Sequence, residues 1–276
     1  MANEKKKNRE MKWNSEAAEA VKRVPFFVRK RVKTRVEEEA ARRGDNLVTL
    51  EHVETCRKRF LNRMEDEVKG YQVETCFGPG GCPNRAVISD GLAERIERIL
   101  ARRDMKGFLR EKVGGPLKFH HEFRVSISDC PNGCSRPQIV DVGLMGARQP
   151  GVSEESCSRC GNCVEVCKES AVFLDDDGPV ISQERCLSCG ACIRACPTGT
   201  LVEASGGYRV LLGGKLGRHP RLGQEIPGIH SRDQVIEIIE HCIDRYRKHS
   251  RHGERLGEVL GRVGMKKFFE DKKAAA

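Results

Sequence analysis

The chain has 276 residues, of which 5% are aromatic and 33% are charged, and its formal net charge is +10 at pH 7. That length allows one large domain or two to three small ones. No apolar run approaches the roughly 20 residues that span a bilayer, and the N-terminal MANEKKKNRE lacks the apolar segment of a secretory signal. We therefore expect a cytoplasmic protein without a membrane span.

The positive charge does not by itself predict a nucleic-acid partner. Such a partner needs basic residues gathered on one face, with aromatic side chains on which bases can stack. The densest basic run, residues 29–35, is followed at once by Glu37, Glu38 and Glu39, which is the pattern of a solvated helix face. We expect no nucleic acid, and instead a small anionic ligand or an acidic redox partner protein.

Residues 15–70 are predicted to be largely helical. Apolar residues recur there every four positions, at Val28, Val32, Val36 and Ala40. Gly44 offers a C-cap for this helix, and Thr49 can begin the next one. The stretch VPFFVRKRVKTRVEEEAARRG, followed by VTLE, resembles the small helical module at the C-terminal end of one subunit of light-independent protochlorophyllide reductase. The resemblance implies no reaction, and we interpret residues 1–70 as a helical packing or docking module.

From about Tyr71 the pattern changes to short strands and helices. A strand is predicted at Val73, and a helix carries Leu92, Ile96, Ile99 and Leu100. A half-buried strand is predicted where Phe123, Val125 and Ile127 alternate with polar residues. Beyond residue 204 we predict a strand over 208–212 and two helices, the first marked by Val235, Ile239, Cys242 and Tyr246, the second by Leu256 and Leu260.

Four cysteines in this region form two spaced pairs. Cys76 and Cys82 lie in CFGPGGC, and Cys130 and Cys134 lie in CPNGC. Four thiolates suit a [4Fe-4S] cluster, and the glycines let the backbone approach the inorganic sulfides closely. A zinc site is the alternative that the spacing alone leaves open.

SISDCPNGCSRPQIVDVGLMG, residues 126–146, together with the upstream C-x5-C, closely resembles the signature of the sirohaem-containing sulfite and nitrite reductases. The resemblance extends to GYRVLLGGKLGRHP and, more weakly, to RHGERLGEVLGRVG. It implies that Cys76, Cys82, Cys130 and Cys134 hold a [4Fe-4S] cluster, and that Cys134 also bridges to the sirohaem iron. Two features depart from the family pattern. Asp129 replaces a glycine, and only one of the two related halves of the larger members is present, so a further protein chain that completes the pocket stays an open alternative.

Eight further cysteines form two runs of the spacing C-x2-C-x2-C-x3-C: Cys157, Cys160, Cys163 and Cys167, then Cys186, Cys189, Cys192 and Cys196. This is the spacing of two-cluster bacterial ferredoxins, in which the fourth cysteine of each run ligates the other cluster. Cys196 is therefore expected to join the first three cysteines, and Cys167 the second three. A zinc site would give no reason for the third and fourth cysteines of a run. Residues 153–204 resemble bacterial ferredoxin, with Lys168 in place of a proline.

Sirohaem carries eight carboxylates, so the resemblance implies a basic pocket. The basic candidates in or near the matched segments are Lys118, His120, His121, Arg124, Arg136, Lys215 and Arg218. We predict that Lys118, His120 and Arg124 are catalytic, and that Arg136, Lys215, Arg218 and Cys134 bind the cofactor. An arginine can hold an oxyanion bidentately. For each of these residues taken singly, an ordinary solvated side chain is the alternative.

These observations predict an α+β fold with a helical module (1–70), a reductase domain (71–150 and 205–276) and a ferredoxin insert (151–204). The expected cofactors are three [4Fe-4S] clusters and sirohaem, and the expected reaction is reduction of sulfite to sulfide or of nitrite to ammonia. The alternative is an electron-transfer subunit that lacks sirohaem. Cys56 and Cys242 lack partners at ligand spacing and are predicted to be core residues.

Overall fold

The computed structural model describes residues 11–270, apart from the side chains of residues 62 and 63. It divides the chain into two compact units. The smaller unit contains the chain up to Glu67 together with Pro116–Lys118, and the larger unit contains Val68–Gly115 and the chain from Phe119 onward. Within the described residues no helix is both long and apolar enough to cross a membrane.

The smaller unit is helical, as predicted. Its elements are β1 (Lys12–Trp13), α1 (Ser15–Lys22), α2 (Phe26–Arg43), β2 (Leu47–Val48) and α3 (Leu50–Glu67). The core consists of Ala17, Val36, Ala40 and Val48, and the partly buried Cys56 packs against it. Gly44 ends α2 in the left-handed region at φ 84°, which confirms the predicted C-cap.

Helices α2 and α3 share a buried carboxylate. The side chain of Glu39 is 3% exposed and accepts hydrogen bonds from Arg42 at 2.5 Å, Arg43 at 3.3 Å and Arg59 at 2.7 Å. The bonds from Arg59 and then Arg42 lower the pKa of Glu39 to about 2. The charged form of Glu39 therefore links the two helices.

The larger unit is built on one sheet. Its elements, in chain order, are β3 (Tyr71–Thr75), α4 (Leu92–Arg102), α5 (Met105–Lys112), β4 (Phe123–Ser128), β5 (Val142–Val152), α6 (Asn162–Glu165), β6 (Val172–Leu174), β7 (Pro179–Ile181), α7 (Ala191–Ala195), β8 (Leu201–Leu212), β9 (Gln224–His230), α8 (Arg232–His249), α9 (Leu256–Val263) and α10 (Met265–Glu270). The sheet order is β3-β4-β5-β8-β9. β3, β4 and β5 run parallel, whereas β8 and β9 are antiparallel to their neighbours. The α+β prediction is confirmed.

The prediction that β4 is half-buried is wrong. Phe123, Val125 and Ile127 are buried, but so are Ser126 and Ser128 on the alternate positions. The strand lies between β3 and β5 in the sheet, and the two serine hydroxyls are small groups with hydrogen-bond partners. Both faces of the strand can therefore be covered at little cost.

The strands and helices predicted on either side of residues 151–204 are present. The four apolar positions predicted on α4, the four on α8 and the two on α9 are all buried. Cys242 is fully buried on α8, which confirms it as a core residue. Between β5 and β8 the chain forms the short hairpin of β6 and β7 and the helices α6 and α7. Residues 153–200 thus connect two neighbouring antiparallel strands.

Candidate functional site

The four cysteines of the third set lie at one edge of the sheet. Cys76 follows β3 and Cys130 comes two residues after β4, and these strands are parallel neighbours, so their C-terminal ends meet. Burial raises the pKa of the Cys130 thiol, and the nearby thiols of Cys134, Cys76 and Cys82 raise it further. The structure therefore brings all four predicted ligands together.

The backbone around Cys76 is arranged to donate to sulfur. The amides of Gly78 and Asp129 donate hydrogen bonds to Cys76 Sγ at 3.2 and 3.3 Å. Gly78 has no room for a side chain, because a Cβ there would lie 2.1 Å from Oδ2 of Asp129. Such amide donors are among the features that set the potential of an iron–sulfur cluster, so this loop fits one.

A buried serine network holds the CPNGC loop against β4. Ser126 Oγ donates to the carbonyl of Ser135 at 2.6 Å, and Ser135 Oγ donates to the carbonyl of Ile127 at 2.8 Å. Ser128 Oγ lies 2.7 Å from Ser135 Oγ. Because all three serines are buried, each bond holds the loop in a place where water cannot substitute for the partner.

The ferredoxin-like cysteines fall into two interlocked groups. One small cavity is lined by Cys157, Cys160, Cys163 and Cys196. A second cavity, of about 160 Å³, is lined by Cys167, Cys186, Cys189 and Cys192. The fourth cysteine of each run is therefore with the other run, in the arrangement that the ferredoxin pattern requires.

Both groups receive amide hydrogen bonds, from Arg159 to Cys157 at 3.4 Å, Ala171 to Cys167 at 3.2 Å, Ser188 to Cys186 at 3.4 Å and Leu201 to Cys196 at 3.4 Å. Burial raises the pKa of Cys192 to about 11. Burial also acts on Cys196, but hydrogen bonds from Leu201 and Thr198 outweigh it and lower the pKa to about 7. Metal binding requires the thiolate form, which is the form that these hydrogen bonds favour at Cys196.

Among residues 11–270, no three Cys, His, Asp or Glu side chains converge tightly enough to hold a single metal ion. In a cubane each cysteine binds a different iron, so the ligands of one cluster need not meet around one point.

A cationic cavity of about 250 Å³ lies on the same unit. The basic side chains that line it are His120, Arg124, Arg136, Lys215 and Arg255. Nε of Arg124 is buried and has no hydrogen-bond partner among the described residues, although its Nη2 donates to the carbonyl of Phe119 at 3.4 Å. A buried donor without an acceptor is costly in a protein, and it fits a site for an anionic group.

Carboxylates balance part of this charge. Lys215 Nζ lies 2.6 Å from Oε1 of Glu258, and Arg255 forms an ion pair with the buried Asp141. Glu74 also lines the cavity and accepts a hydrogen bond from Gln72 at 2.7 Å. Burial lowers the pKa of Arg255, but the charge of Asp141 outweighs it, so the pKa of Arg255 is raised overall.

Three predicted residues do not line this cavity. Lys118 belongs to the smaller compact unit, and Arg218 is exposed in the loop between β8 and β9. Cys134 is exposed as well, although the next residue, Ser135, does line the cavity. Sequence reasoning missed Asp141 and Arg255, which lie within the matched stretches VDVGLMG and RHGERLGEVLGRVG but carry no spacing signal of their own.

Residues 70–274 match the family model described as "Nitrite and sulphite reductase 4Fe-4S domain", and residues 13–57 match "Proto-chlorophyllide reductase 57 kD subunit". A Coenzyme F420-dependent sulfite reductase of Methanocaldococcus jannaschii is 38% identical over 72% of this chain and 30% of its own length. One of the subunits of the anaerobic sulfite reductase of Salmonella typhimurium is 24% identical over 45% of this chain and 36% of its own. The solved structure of dissimilatory sulfite reductase I has a TM-score of 0.45 at 16% identity, and the match covers 74% of this chain and 52% of that one.

The chain thus spans about a third of the length of the first two of these relatives. The match to the first family model begins just before Cys76 and runs past Arg255, so it includes the three cysteine sets and the cationic cavity. The chain belongs to the nitrite and sulphite reductase 4Fe-4S domain family.

Proposed function

We propose that this chain is the iron–sulfur and sirohaem module of a sulfite reductase. It would reduce sulfite to sulfide, a six-electron change, with electrons supplied through two ferredoxin-type clusters. Reduction of nitrite to ammonia is the same class of chemistry. The observation that carries the proposal is the cationic cavity, because Ser135 and Arg136 in its wall directly follow the ligand loop CPNGC. The names of the two relatives favour sulfite over nitrite.

Each cofactor would be held by a different set of residues. The three cysteine sets would each hold one [4Fe-4S] cluster, and Cys134 would share its thiolate with the sirohaem iron. The carboxylates of sirohaem would form ion pairs with Arg136, Lys215 and Arg255. When bound, the sirohaem and its adjoining cluster supply the redox chemistry, and the protein supplies position, charge and protons.

Arg124 would bind the substrate oxyanion. Its buried Nε lacks an acceptor, and a guanidinium offers a carboxylate-like or sulfite-like oxyanion two parallel donors. His120 in the same wall would supply protons to the reaction. Such fixed donors stabilise charge more strongly in a site that excludes water than in water.

The volume of the cavity favours a contribution from a second surface. At about 250 Å³ it is smaller than the roughly 300–1,000 Å³ of pockets for drug-sized ligands, and sirohaem is larger than those ligands. The cavity would therefore seat one edge of the macrocycle, or the oxyanion, while a further protein chain covers the rest. We infer that the working enzyme includes a partner chain and a redox donor.

The same observation supports a second candidate function. If no partner surface completes the cavity, the chain would be an electron-transfer subunit that holds the clusters without sirohaem. Sirohaem has visible absorption bands that clusters lack, so its presence or absence separates the two functions.

The decisive assay uses anaerobically purified, sirohaem-loaded protein with a low-potential one-electron donor and either sulfite or nitrite. We expect sulfide from sulfite, and we expect Arg124→Gln to weaken sulfite use by about tenfold or more, because losing an interaction of about 1.4 kcal/mol changes a rate tenfold. Arg95→Gln is the matched control, since Arg95 lies in an exposed ion pair with Asp233. Lys118→Met tests the prediction that Lys118 is catalytic, which requires this variant to use sulfite less well than the wild type. Loaded protein that reduces neither anion, even with its partner chains present, would contradict the proposal.

A further inference from the structure

The two ferredoxin-like ligand sets differ in what surrounds them. The cavity of the first set, which contains Cys160 and Cys196, is lined within residues 157–201 alone. The cavity of the second set, which contains Cys167 and Cys189, is also lined by Asn84, Cys130, Pro131 and Asn132. The second set therefore faces the CPNGC loop of the third set, and the first set is the distal one.

Strand β5 fixes the second set in this place. The backbone amide of Arg148 donates to the carbonyl of Ser188 at 2.6 Å, and Arg148 forms a parallel bridge with Cys189. Earlier in the same strand, Gly146 packs so closely on Asp129 that a Cβ at Gly146 would lie 2.4 Å from the Asp129 carbonyl oxygen. One strand thus touches the loops that carry both ligand sets.

The side chain of Arg148 sets the distance between β5 and the loop that carries Cys189 and Gly190. Gly190 stands at φ 69°, and a Cβ there would lie 2.8 Å from Cδ of Arg148, 3.1 Å from Cγ and 3.0 Å from Cβ. The guanidinium of Arg148 is held in turn by an ion pair with Glu203 on β8. The arginine stem is therefore packed between the sheet and the Cys189 loop.

We propose that Arg148 is a positioning residue that seats the second ferredoxin-like ligand set against the third, which makes these two the adjacent pair. When both are loaded, this arrangement would let a single electron pass from one cluster to the other, so that one is oxidised as the other is reduced. The proposal depends on the cluster part of the proposed function and not on sirohaem or on sulfite.

The chain contains a matched control for this contact. Gly161 occupies the same place in the first run that Gly190 occupies in the second, directly after the second cysteine and at the start of a short helix, and its φ is 79°. A Cβ on Gly161 meets no atom within 4 Å. An alanine at either position bears the same backbone strain, but only the alanine at Gly190 pushes on Arg148.

The test measures the magnetic interaction between reduced clusters by electron paramagnetic resonance of the anaerobic, fully reduced protein. We expect Gly190→Ala to weaken the interaction with the third cluster several-fold and Gly161→Ala to leave it unchanged. Arg148→Ala alone should also weaken it, because it removes both the stem that packs on the Cys189 loop and the ion pair with Glu203, and an interaction unchanged in this variant would overturn the proposal. Cys189→Ser should abolish the interaction, whereas Cys160→Ser should leave it intact.

Equal losses in the two glycine variants would overturn the proposal, as would an interaction that disappears in Cys160→Ser and survives in Cys189→Ser. Protein without a third cluster would overturn it as well. Protein that binds no sirohaem or fails to reduce sulfite would count against the proposed function alone, because the resonance signals need neither.

Discussion

Asp141 and Arg255 form an ion pair that joins the start of β5 to the start of α9. The side chain of Asp141 is 1% exposed and that of Arg255 is 19% exposed. Oδ1 of Asp141 lies 3.3 Å from Nε of Arg255, and Oδ2 accepts the backbone amide of Arg124 at 2.9 Å. The guanidinium also donates to the carbonyl of His120 at 2.7 Å. This pair therefore fixes one wall of the cationic cavity.

Asp141→Asn should destabilise the protein, because it leaves the largely buried Arg255 without its counter-charge. Breaking a buried pair by removing one partner costs about 3–5 kcal/mol, and the partial exposure of Arg255 places the expected loss in the free energy of unfolding near the lower figure. Urea unfolding measures it. In the control, Asp233→Asn breaks the exposed pair with Arg95 and should cost less than about 1 kcal/mol. Equal losses of unfolding free energy in Asp141→Asn and Asp233→Asn would contradict the assignment of Asp141 as a buried counter-charge.

The stability of the smaller unit should depend on pH through Glu39. Glu39 has a pKa of about 2 in the folded chain, below the roughly 4.3 of an unperturbed glutamate. A lowered folded-state pKa contributes stability that is present above the unfolded value and is lost as the pH falls toward the folded one. Between about pH 4.3 and 2, α2 and α3 should therefore loosen.

Hydrogen exchange of α2 and α3 measures this effect. Glu39→Gln should exchange faster than the wild type at pH 7, and the difference should shrink as the pH falls toward 2. Glu19→Gln is the control, since Glu19 forms an exposed pair with Lys22. A difference between Glu39→Gln and wild type that is constant with pH would contradict the assigned pKa.

Cys134→Ser and Cys189→Ser should have different effects on absorption. Cys134 lies at the position that the resemblance assigns to the bridging thiolate, and Cys189 lies in the second ferredoxin-like set. We expect Cys134→Ser to disturb both the third cluster and sirohaem, and Cys189→Ser to lose a ferredoxin-type cluster while sirohaem absorption persists. Unchanged sirohaem bands in the Cys134 variant would argue against the bridge.

The cysteines were predictable because their spacing is local in sequence. The runs that start at Cys157 and Cys186 are each a short continuous stretch of sequence, and the interlocked grouping follows from the ferredoxin pattern. The contact of Arg255 with Asp141 joins residues 114 positions apart, and no local pattern predicts such a pair. The contact of Arg148 with the Cys189 loop likewise joins residues that are far apart in sequence, through the bridge between β5 and Cys189.

The error at β4 has a different cause. Period-two alternation predicts one polar face, but Ser126 and Ser128 find partners in Ser135, so a buried polar face carries little penalty. Lys118 and Arg218 were predicted from their place near matched segments. Neither lines the cavity, because closeness in sequence does not fix where a side chain points.

The central claim is that this chain holds three clusters and seats sirohaem beside the third. The most direct measurement is the iron, sulfide and sirohaem content of anaerobically purified protein, read together with its visible spectrum. We expect twelve cluster irons, four for each cysteine set, one further iron in sirohaem, and the sirohaem absorption bands. Eight cluster irons, zinc in the Cys76–Cys134 set, or a spectrum of clusters alone in protein purified with its partner chains would contradict it.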